Sequence, residues 1–318
     1  MKRMLVLLAA AALALSANAA EWTIKLGHIS NTEHTWHRGS MKFKELVEAK
    51  TNGRVAVEVY PNNEIGTEAE VIDAIYSGVA HMVISSDTMA NWVPEIKVMG
   101  VPYMIRDLDH MKKVLDSDFS KFLEKKLIEK AAMRPLAVFI RSPRNVTSNF
   151  PITKPADMKD FKIRLPNVPL HVVAWEAVGA KPIPMAFAEV FTSIQQKVID
   201  GQENPPDLIR SASLFEVQKY MVKTEHLLAW IYLLIGEDFF QTLPKDIQDI
   251  IIECGKEAEA YERKIHFEDE EANLKYLLDH GMEFIEPDKK AFADAMREPV
   301  FNALDKDLQA LYKMAADL

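Results

Sequence analysis

Three short segments, WTIKLG (residues 22–27), RVAVEVY (54–60) and HMVIS (81–85), decide the fold because helical segments separate them. The first two alternate apolar and polar residues with the period of two typical of β-strands, and the third has the apolar character of a buried strand. Apolar residues recur at helical spacing over residues 36–50 and 68–76, and a glycine follows each helix. This alternation predicts parallel βαβ units in a doubly wound α/β fold, with helices on both faces of the sheet.

The same alternation continues to the carboxyl end. The further predicted elements are a helical stretch over 107–132, strands over 135–141 and 161–165, a helix over 170–178, a short strand near 198–200, an apolar segment over 227–235 and a mostly helical region over 244–280. Doubly wound sheets bind ligands at the carboxyl ends of their strands. Two such domains would therefore hold a ligand in the cleft between them.

The amino-terminal segment has the pattern of a signal peptide, residues 1–19. Lys2 and Arg3 precede an apolar run that is too short to span a bilayer, and small residues follow it. Ala17 and Ala19 fit a cleavage site, so we expect the mature chain to begin at Ala20. No cysteine lies near that point to carry a lipid anchor. The pattern predicts export to a periplasm.

Composition limits the kinds of partner. The 318 residues are 48% hydrophobic, which is enough for two domains, and the net charge of −9 becomes −11 without Lys2 and Arg3. A chain this acidic is a poor partner for nucleic acid or an anionic membrane, although a local basic pocket can still bind a carboxylate. The one cysteine, Cys254, can form no internal disulfide and is predicted to be a core residue.

No catalytic, metal or cofactor site is predicted. The motifs G-x-S-x-G, H-E-x-x-H and G-x-G-x-x-G and the P-loop are all absent. His34 and His37 are three residues apart, but without a second cluster this spacing is a weak metal signal. The acidic run at residues 268–271 is interpreted as a solvated helix face.

Arginine and amide side chains close to predicted strands are the better functional signal. Arg164 lies near the end of its strand, Arg141 and Arg144 follow another strand, and Asn204 lies in a turn-rich segment. A guanidinium binds a carboxylate through two parallel hydrogen bonds and keeps its charge. A surface or interdomain ion pair is the alternative for each arginine, and it fits Arg141 better than Arg144.

At these residues the sequence resembles a known family. KIRLPN (162–167), VGAKPIPMAFAEVF (178–191) and VIDGQENP (198–205) resemble the substrate-binding proteins of tripartite ATP-independent periplasmic (TRAP) transporters, of the dicarboxylate-binding (DctP) type. The likeness extends to residues 57–78, 101–107 and 215–226 and so covers nearly the whole mature chain.

The resemblance implies a two-domain periplasmic solute-binding protein with a ligand cleft between the domains and a long domain-spanning helix. Residues 1–19 are then the signal peptide, 20–141 plus 230–269 form domain I, and 142–229 plus 270–318 form domain II. It implies a small organic acid as ligand, no catalysis and no cofactor. The expected partners are the large and small membrane permease subunits, with no nucleic acid, and the chain is expected to be a monomer.

The resemblance also assigns roles to site residues. It implies that Arg164 forms the principal salt bridge to the ligand carboxylate, that Asn204 contacts the same group, and that Arg144 is a second binding arginine. Further candidates for ligand contact are His28, His34, Ser86, Asn91 and Trp230. Sialic-acid-binding members carry a glutamate near the position of Ser86, and its absence from the nearby sequence argues against that ligand.

Several alternatives stay open from sequence alone. The ligand can be a dicarboxylate, a uronate or another sugar, hydroxy or keto acid. The receptor can serve a sensor kinase or an ATP-driven importer instead of a permease. A periplasmic enzyme acting on sugar acids, or a structural or adhesive protein, are the alternatives from other classes.

Overall fold

The computed structural model describes residues 19–318. The predicted signal peptide, apart from Ala19, therefore lies outside the described residues. Within the described part of the chain, no helix is both long enough and apolar enough to cross a membrane.

Nine strands form one sheet. They are β1 (Trp22–Gly27), β2 (Val55–Tyr60), β3 (Met82–Ser85), β4 (Met133–Ser148), β5 (Lys162–Leu165), β6 (Lys181–Pro184), β7 (Gly201–Asn204), β8 (Tyr220–Gly236) and β9 (Glu283–Ile285). Their order is β2-β1-β3-β8-β4-β7-β5-β6, and β9 pairs with β8.

Eleven α-helices of the described chain surround this sheet. They are α1 (Thr35–Lys50), α2 (Glu68–Tyr76), α3 (Leu108–Leu115), α4 (Asp118–Ala131), α5 (Pro169–Glu176), α6 (Val190–Gln195), α7 (Pro206–Ser211), α8 (Glu237–Thr242), α9 (Lys245–Asp279), α10 (Lys289–Asn302) and α11 (Lys306–Ala316).

The sheet contains two groups of parallel strands. The first parallel group is β2-β1-β3, and the second parallel group is β7-β5-β6. Between them lie the long strands β8 and β4, which run antiparallel to each other. Strand β8 is also antiparallel to its other neighbour β3, and β4 is antiparallel to β7. The predicted βαβ units are therefore confirmed, and two antiparallel strands of 17 and 16 residues join them.

Apolar side chains fill the space on both faces of the sheet. Along β8, alternate residues from Trp230 to Ile235 enter two different hydrophobic clusters, as the two-residue period of a strand requires. One cluster includes buried residues of α2, α3, α4, α5, α10 and α11, and the other includes those of α1, α8 and α9. The predicted helix layers on both faces are thus confirmed.

The long helix α9 links the two ends of the molecule. Its 35 residues span roughly 50 Å at 1.5 Å per residue. It packs against α1 and β4, and also against α7, which follows the second parallel group. The sole cysteine, Cys254, is buried in the α9 interface, as predicted.

Some elements differ from the sequence prediction. The helical stretch over 107–132 is two helices, because the Ser117 hydroxyl caps a new helix by accepting from the Phe119 amide. The strand predicted near 198–200 is wrong: those residues form a turn, and the strand is Gly201–Asn204. Its polar side chains pair inside the sheet, so it shows no hydrophobic pattern. Strands β6 and β9 were not predicted.

Candidate functional site

A cavity of about 440 Å³ lies at the carboxyl ends of the parallel strands. This cavity, called here the arginine cavity, is lined by Ile29, Trp36, Asn63, Thr67, Glu68, Ala69, Ser86, Asp87, Thr88, Arg141, Arg144, Arg164, Pro166, Asn167, Pro184, Met185, Ala186, Phe187, Asn204, Leu208 and Ile231. Most of these residues follow β1, β2 and β3 in the first parallel group or β5, β6 and β7 in the second. The site therefore lies where a doubly wound sheet is expected to bind its ligand.

Arg164 is the third residue of β5 and lines this cavity. Its Nε and Nη2 donate to the carbonyl oxygen of Met185 at 3.0 and 2.7 Å, and the guanidinium lies 5.7 Å from the Phe187 ring centre. Only 3% of the residue is exposed, and burial lowers the pKa of its guanidinium to about 10. No carboxylate of residues 19–318 forms an ion pair with it. Arg164 is thus a charged and unpaired side chain in the cavity wall.

Arg144, on β4, is paired with a buried carboxylate. Its Nη2 donates to Oε1 of Glu203 at 2.6 Å and to the Glu203 carbonyl oxygen at 2.7 Å, and its Nε donates to Oε2. His226 Nε2 lies 3.0 Å from the same carboxylate. Burial alone would raise the pKa of Glu203, but Arg144 holds it well below its usual range. Arg144 therefore combines a place in the cavity wall with a structural ion pair.

Arg141 also lines the cavity and is paired with Asp87. Its Nη1 donates to Asp87 Oδ1 at 2.8 Å, and His171 Nε2 lies 3.3 Å from Oδ2. Burial alone would raise the pKa of Asp87, but Arg141 and His171 hold it well below its usual range. Nε and Nη2 of Arg141 have no hydrogen-bond partner among the described residues. Arg141 thus forms an ion pair, the alternative that fitted it better than Arg144 in the sequence, but the pair is buried and Arg144 forms one as well.

Asn204 and Ser86 both reach the cavity. Asn204 is the last residue of β7, not part of a turn as predicted, and its Nδ2 donates to Gln202 Oε1 at 2.5 Å. The Ser86 hydroxyl donates to the carbonyl oxygen of Trp230 at 2.6 Å. The structure thus brings Arg164, Arg144, Asn204 and Ser86 together at one cavity.

Two of the candidate histidines lie elsewhere. His28 is buried beside β1, where its ring nitrogens are 3.1 Å from His37 Nδ1 and 3.0 Å from the Ser30 hydroxyl. His34 caps the start of α1 and lies 3.4 Å from Asp207 Oδ2. Neither lines the arginine cavity, although the nearby Ile29 and Trp36 do.

Trp230 and Asn91 do not line the arginine cavity either. Trp230 is fully buried beside Tyr232, because its position in β8 points it into the hydrophobic cluster on the face opposite to that of Ile231, which does line the cavity. Asn91 is exposed, and its Nδ2 donates to the carbonyl oxygens of Asn167 at 2.8 Å and Thr88 at 3.0 Å. Asn91 thus links two segments that do line the cavity.

Glu68 is a cavity residue that sequence reasoning missed. It lies in the first turn of α2, where its carboxylate accepts from the Ser85 hydroxyl at 2.5 Å and from Thr88 at 3.3 Å. Burial raises its pKa to about 7. Glu68 thus contacts Ser85 and Thr88, on either side of Ser86, although no glutamate is near Ser86 in the sequence. Glu68 could have been selected from the sequence, because it lies at the start of a helix that follows a predicted parallel strand.

Other arrangements in the described chain are less suited to an acid. A larger cavity of about 730 Å³ includes three cations: Lys289 pairs with Glu225 at 2.6 Å, Lys290 pairs with Asp294, and the exposed Arg106 donates to the Ala316 carbonyl oxygen at 2.6 Å. Residues 19–318 contain no group of three or more His, Cys, Asp or Glu side chains placed to hold a metal ion. The unpaired guanidinium of Arg164 makes the arginine cavity the candidate site.

Comparisons with known proteins identify the family of the chain. The model of the family described as bacterial extracellular solute-binding protein, family 7 (DctP), matches residues 26–307. A solute-binding protein of Roseobacter denitrificans is 44% identical over 302 residues, which cover 95% of this chain and 93% of the relative. The 2,3-diketo-L-gulonate-binding periplasmic protein YiaO of Escherichia coli is 32% identical, with coverages of 94% and 91%.

A solved structure has the same fold. It is a TRAP periplasmic solute-binding protein from Roseobacter denitrificans with bound L-galactonate. Its TM-score is 0.91 at 42% sequence identity, and the match covers 93% of this chain and 99% of that one. The chain therefore belongs to family 7 of the bacterial extracellular solute-binding proteins, the substrate-binding proteins of TRAP transporters.

Proposed function

We propose that this protein captures a small organic acid in the arginine cavity, through a salt bridge between Arg164 and the ligand carboxylate. The single observation that carries the proposal is the unpaired, buried guanidinium of Arg164 in the wall of that cavity. A buried charge without a partner is costly, and a carboxylate would supply both the opposite charge and the acceptors.

The relatives support an acid as ligand. The similar Roseobacter protein holds L-galactonate, and YiaO is a diketogulonate-binding protein, so both names point to sugar acids. The family consists of transporter binding proteins, and the comparisons give no support to an enzyme or a sensor receptor. In the proposed function the chain delivers its ligand to a permease with one large and one small membrane subunit.

The experiment is a thermal-shift screen of the mature protein against dicarboxylates, uronates, aldonates and keto acids, followed by calorimetry. A ligand at about 100 times its Kd adds about 2.7 kcal/mol to the free energy of unfolding, so the melting temperature rises. Arg164→Ala is expected to abolish this rise for every acid. Arg54→Ala, which removes an exposed arginine outside the cavity, is the matched control and leaves the rise unchanged. Unchanged affinity in Arg164→Ala would sink the assignment.

We also propose the predicted domain boundaries, with one change. The register of β4 against β8 shifts after the pair Arg141 and Ala229, which supports a crossing between domains at 141/142 and 229/230. The α11 helix packs against α4 of domain I, so we propose that it belongs to that domain.

Export and monomeric state are proposals of the same kind. Membership of an extracellular family supports a cleavable signal peptide at residues 1–19. Mass spectrometry of the periplasmic protein is expected to give a chain that begins at Ala20. Light scattering is expected to give the mass of a monomer.

A further inference from the structure

A bulge interrupts β8 close to the proposed crossing between the two domains. Arg144 of β4 pairs with Leu227 of β8. The next pair of this ladder is Val146 with Val222, so one residue of β4 faces four residues of β8. These four, residues 223–226, are called here the β8 bulge. Because ladder hydrogen bonds fix the paired residues on either side, the bulge is where the backbone most easily absorbs a rotation between the domains.

Two residues at this bulge have a costly backbone conformation. Glu225, within the bulge, has a φ of 45°, and Tyr103, which contacts the bulge, has a φ of 58°. Left-handed backbone places the Cβ atom of an L-residue too close to the following carbonyl oxygen, and a bulky side chain makes this worse. Such a conformation persists only where the surrounding contacts hold it. Backbone strain is therefore concentrated at the contact between Tyr103 and the β8 bulge.

Hydrogen bonds from outside hold the β8 bulge in this conformation. The Tyr103 amide donates to the His226 carbonyl oxygen at 2.8 Å, and the Tyr103 hydroxyl donates to the Thr224 carbonyl oxygen at 3.1 Å. The Glu225 amide donates to Asn145 Oδ1 at 3.2 Å. By the proposed boundaries Tyr103 belongs to domain I and the bulge to domain II. The two bonds from Tyr103 therefore depend on how the domains are arranged.

The domains are in the closed form, in which the two parallel groups lie close together. The fold matches that of the ligand-bound Roseobacter structure, and Asn91 donates to the Asn167 carbonyl oxygen across the mouth of the arginine cavity. The strain at the bulge thus belongs to the closed form. Tyr103 and Glu225 line the cavity of about 730 Å³ and not the arginine cavity, so they can influence closure without touching a ligand.

We propose that backbone strain at Glu225 sets the balance between the open and closed forms of this protein. Rotation toward the open form lets the β8 bulge leave the left-handed conformation, so the strain opposes closure. Tyr103 is a positioning residue that offsets part of this cost through its two hydrogen bonds. The inference concerns the chain without ligand and does not depend on which residue binds the acid.

The test compares Glu225→Gly with Glu225→Ala in the absence of ligand. Both variants remove the carboxylate, but only glycine adopts left-handed backbone without steric cost. Spin labels on Glu64→Cys and Ala188→Cys, at exposed positions of the first and second parallel groups, report the distance between the groups by pulsed electron paramagnetic resonance. The ratio of closed to open molecules is expected to be roughly fivefold higher in Glu225→Gly than in Glu225→Ala.

Tyr103→Phe shifts the same ratio in the opposite direction. It removes the hydroxyl bond to the bulge, so the ratio of closed to open molecules is expected to fall by about 2–10-fold from the wild-type value. Tyr76→Phe, at an exposed tyrosine of α2, is the matched control and keeps the wild-type ratio. A wild-type ratio in Tyr103→Phe overturns the role of Tyr103.

Lys197 provides the control for glycine itself, because it is a left-handed residue with a φ of 59° in the turn before β7. Lys197→Gly and Lys197→Ala are expected to have the same ratio of closed to open molecules. Identical distance distributions in Glu225→Gly and Glu225→Ala, or a difference at Lys197 as large as that at Glu225, overturn the inference. Because no ligand is used, a failure of every acid to bind overturns the proposed function alone.

Discussion

Arg144 and Glu203 are both buried, and each depends on the other for the stability of its charge. Arg144→Met leaves the Glu203 carboxylate without its cation, which is expected to lower the free energy of unfolding by about 3–5 kcal/mol. Combining it with Glu203→Met removes both charges, and we expect most of this loss to be recovered. Urea unfolding of the single and double variants measures both effects.

The exposed pair of Arg54 and Glu21 provides the matched control for this prediction. Arg54→Ala is expected to change the free energy of unfolding by less than about 1 kcal/mol, because exposed ion pairs contribute little. If Arg144→Met unfolds at the same urea concentration as Arg54→Ala, the buried pair is not the stabilising contact inferred here.

Sequence reasoning found the side chains that strands position, but not the carboxylates that accompany them. Arg164, Arg144 and Asn204 could be selected because they lie on or just after predicted strands. Glu203 and Asp87 could not be identified as ion-pair partners, since their arginines lie on a strand far away in the sequence. The charge balance of the site is therefore a property of the tertiary structure.

Glu262 connects the helix α9 to two other elements. Its carboxyl accepts from the Ile140 amide of β4 at 3.0 Å and from the Thr35 hydroxyl of α1 at 2.8 Å, and burial raises its pKa to about 8. In the unfolded chain the pKa of this carboxyl is near its usual value of 4.5. Between these two pKa values the folded protein holds a proton on Glu262 that the unfolded chain lacks. The contribution of Glu262 to the free energy of unfolding is therefore lost as pH rises through this range.

Glu262→Gln removes the titrating group but keeps the shape of the side chain. The free energy of unfolding of this variant is expected to fall less between about pH 5 and pH 8 than that of the wild type. Urea unfolding at four pH values measures the two slopes. Glu298→Gln, at an exposed position of α10, is expected to keep the wild-type slope. Equal slopes in all three proteins would contradict the role assigned to Glu262.

Gly255 allows α9 to approach the sheet closely. A Cβ atom at this position would clash with the backbone carbonyl of Leu136, which lies at the register shift between Pro135 and Ala137 of β4. Gly255→Ala is therefore expected to lower the free energy of unfolding by about 1–3 kcal/mol in urea unfolding. Lys256→Ala changes an exposed neighbour on the same helix and is expected to have an effect within about 0.5 kcal/mol. Similar effects of the two variants would argue against a tight helix–sheet contact.

Elements with a regular hydrophobic period were predictable, and those without it were not. The strand β1 and the helix α2 have the predicted bounds because burial repeats along each of them with its own period. The strand β7 has four buried residues of sequence GQEN, so its burial depends on side-chain pairing that only the folded sheet supplies. The prediction therefore selected the apolar residues just before it.

At the scale of the whole molecule, the central strands β4 and β8 and the helix α9 connect the two parallel groups. Side-chain contacts such as the one from Asn91 to Asn167 also join them. The arginine cavity takes its wall from both groups. A ligand that contacts both groups binds more tightly when the groups are close together (the closed form) than when they are apart. Ligand binding is therefore expected to bring the two groups together.

Distance measurements between labels test this closure. Labels on Glu64→Cys and Ala188→Cys lie on exposed positions of the first and second groups, and the native Cys254 is buried away from the reagent. The ligand is expected to shorten the distance between the labels and to leave it unchanged when Arg164→Ala is added. A control pair on Glu64→Cys and Glu45→Cys, both on the first group, is expected to keep its distance. An unchanged distance between the groups at saturating ligand would contradict closure.

Asn91 allows closure to be separated from ligand contact. Its amide donates to Asn167 O across the cavity mouth, but the side chain does not line the cavity. A typical hydrogen bond contributes about 0.5–1.5 kcal/mol, so its loss in Asn91→Ala is expected to reduce the closed population and weaken apparent affinity by about 2–10-fold. Calorimetry measures this change, and Asn302→Ala, at an exposed position of α10, is expected to show none. If Asn91→Ala binds as tightly as wild type, the contact does not stabilise the closed form; if binding is abolished, Asn91 contacts the ligand directly.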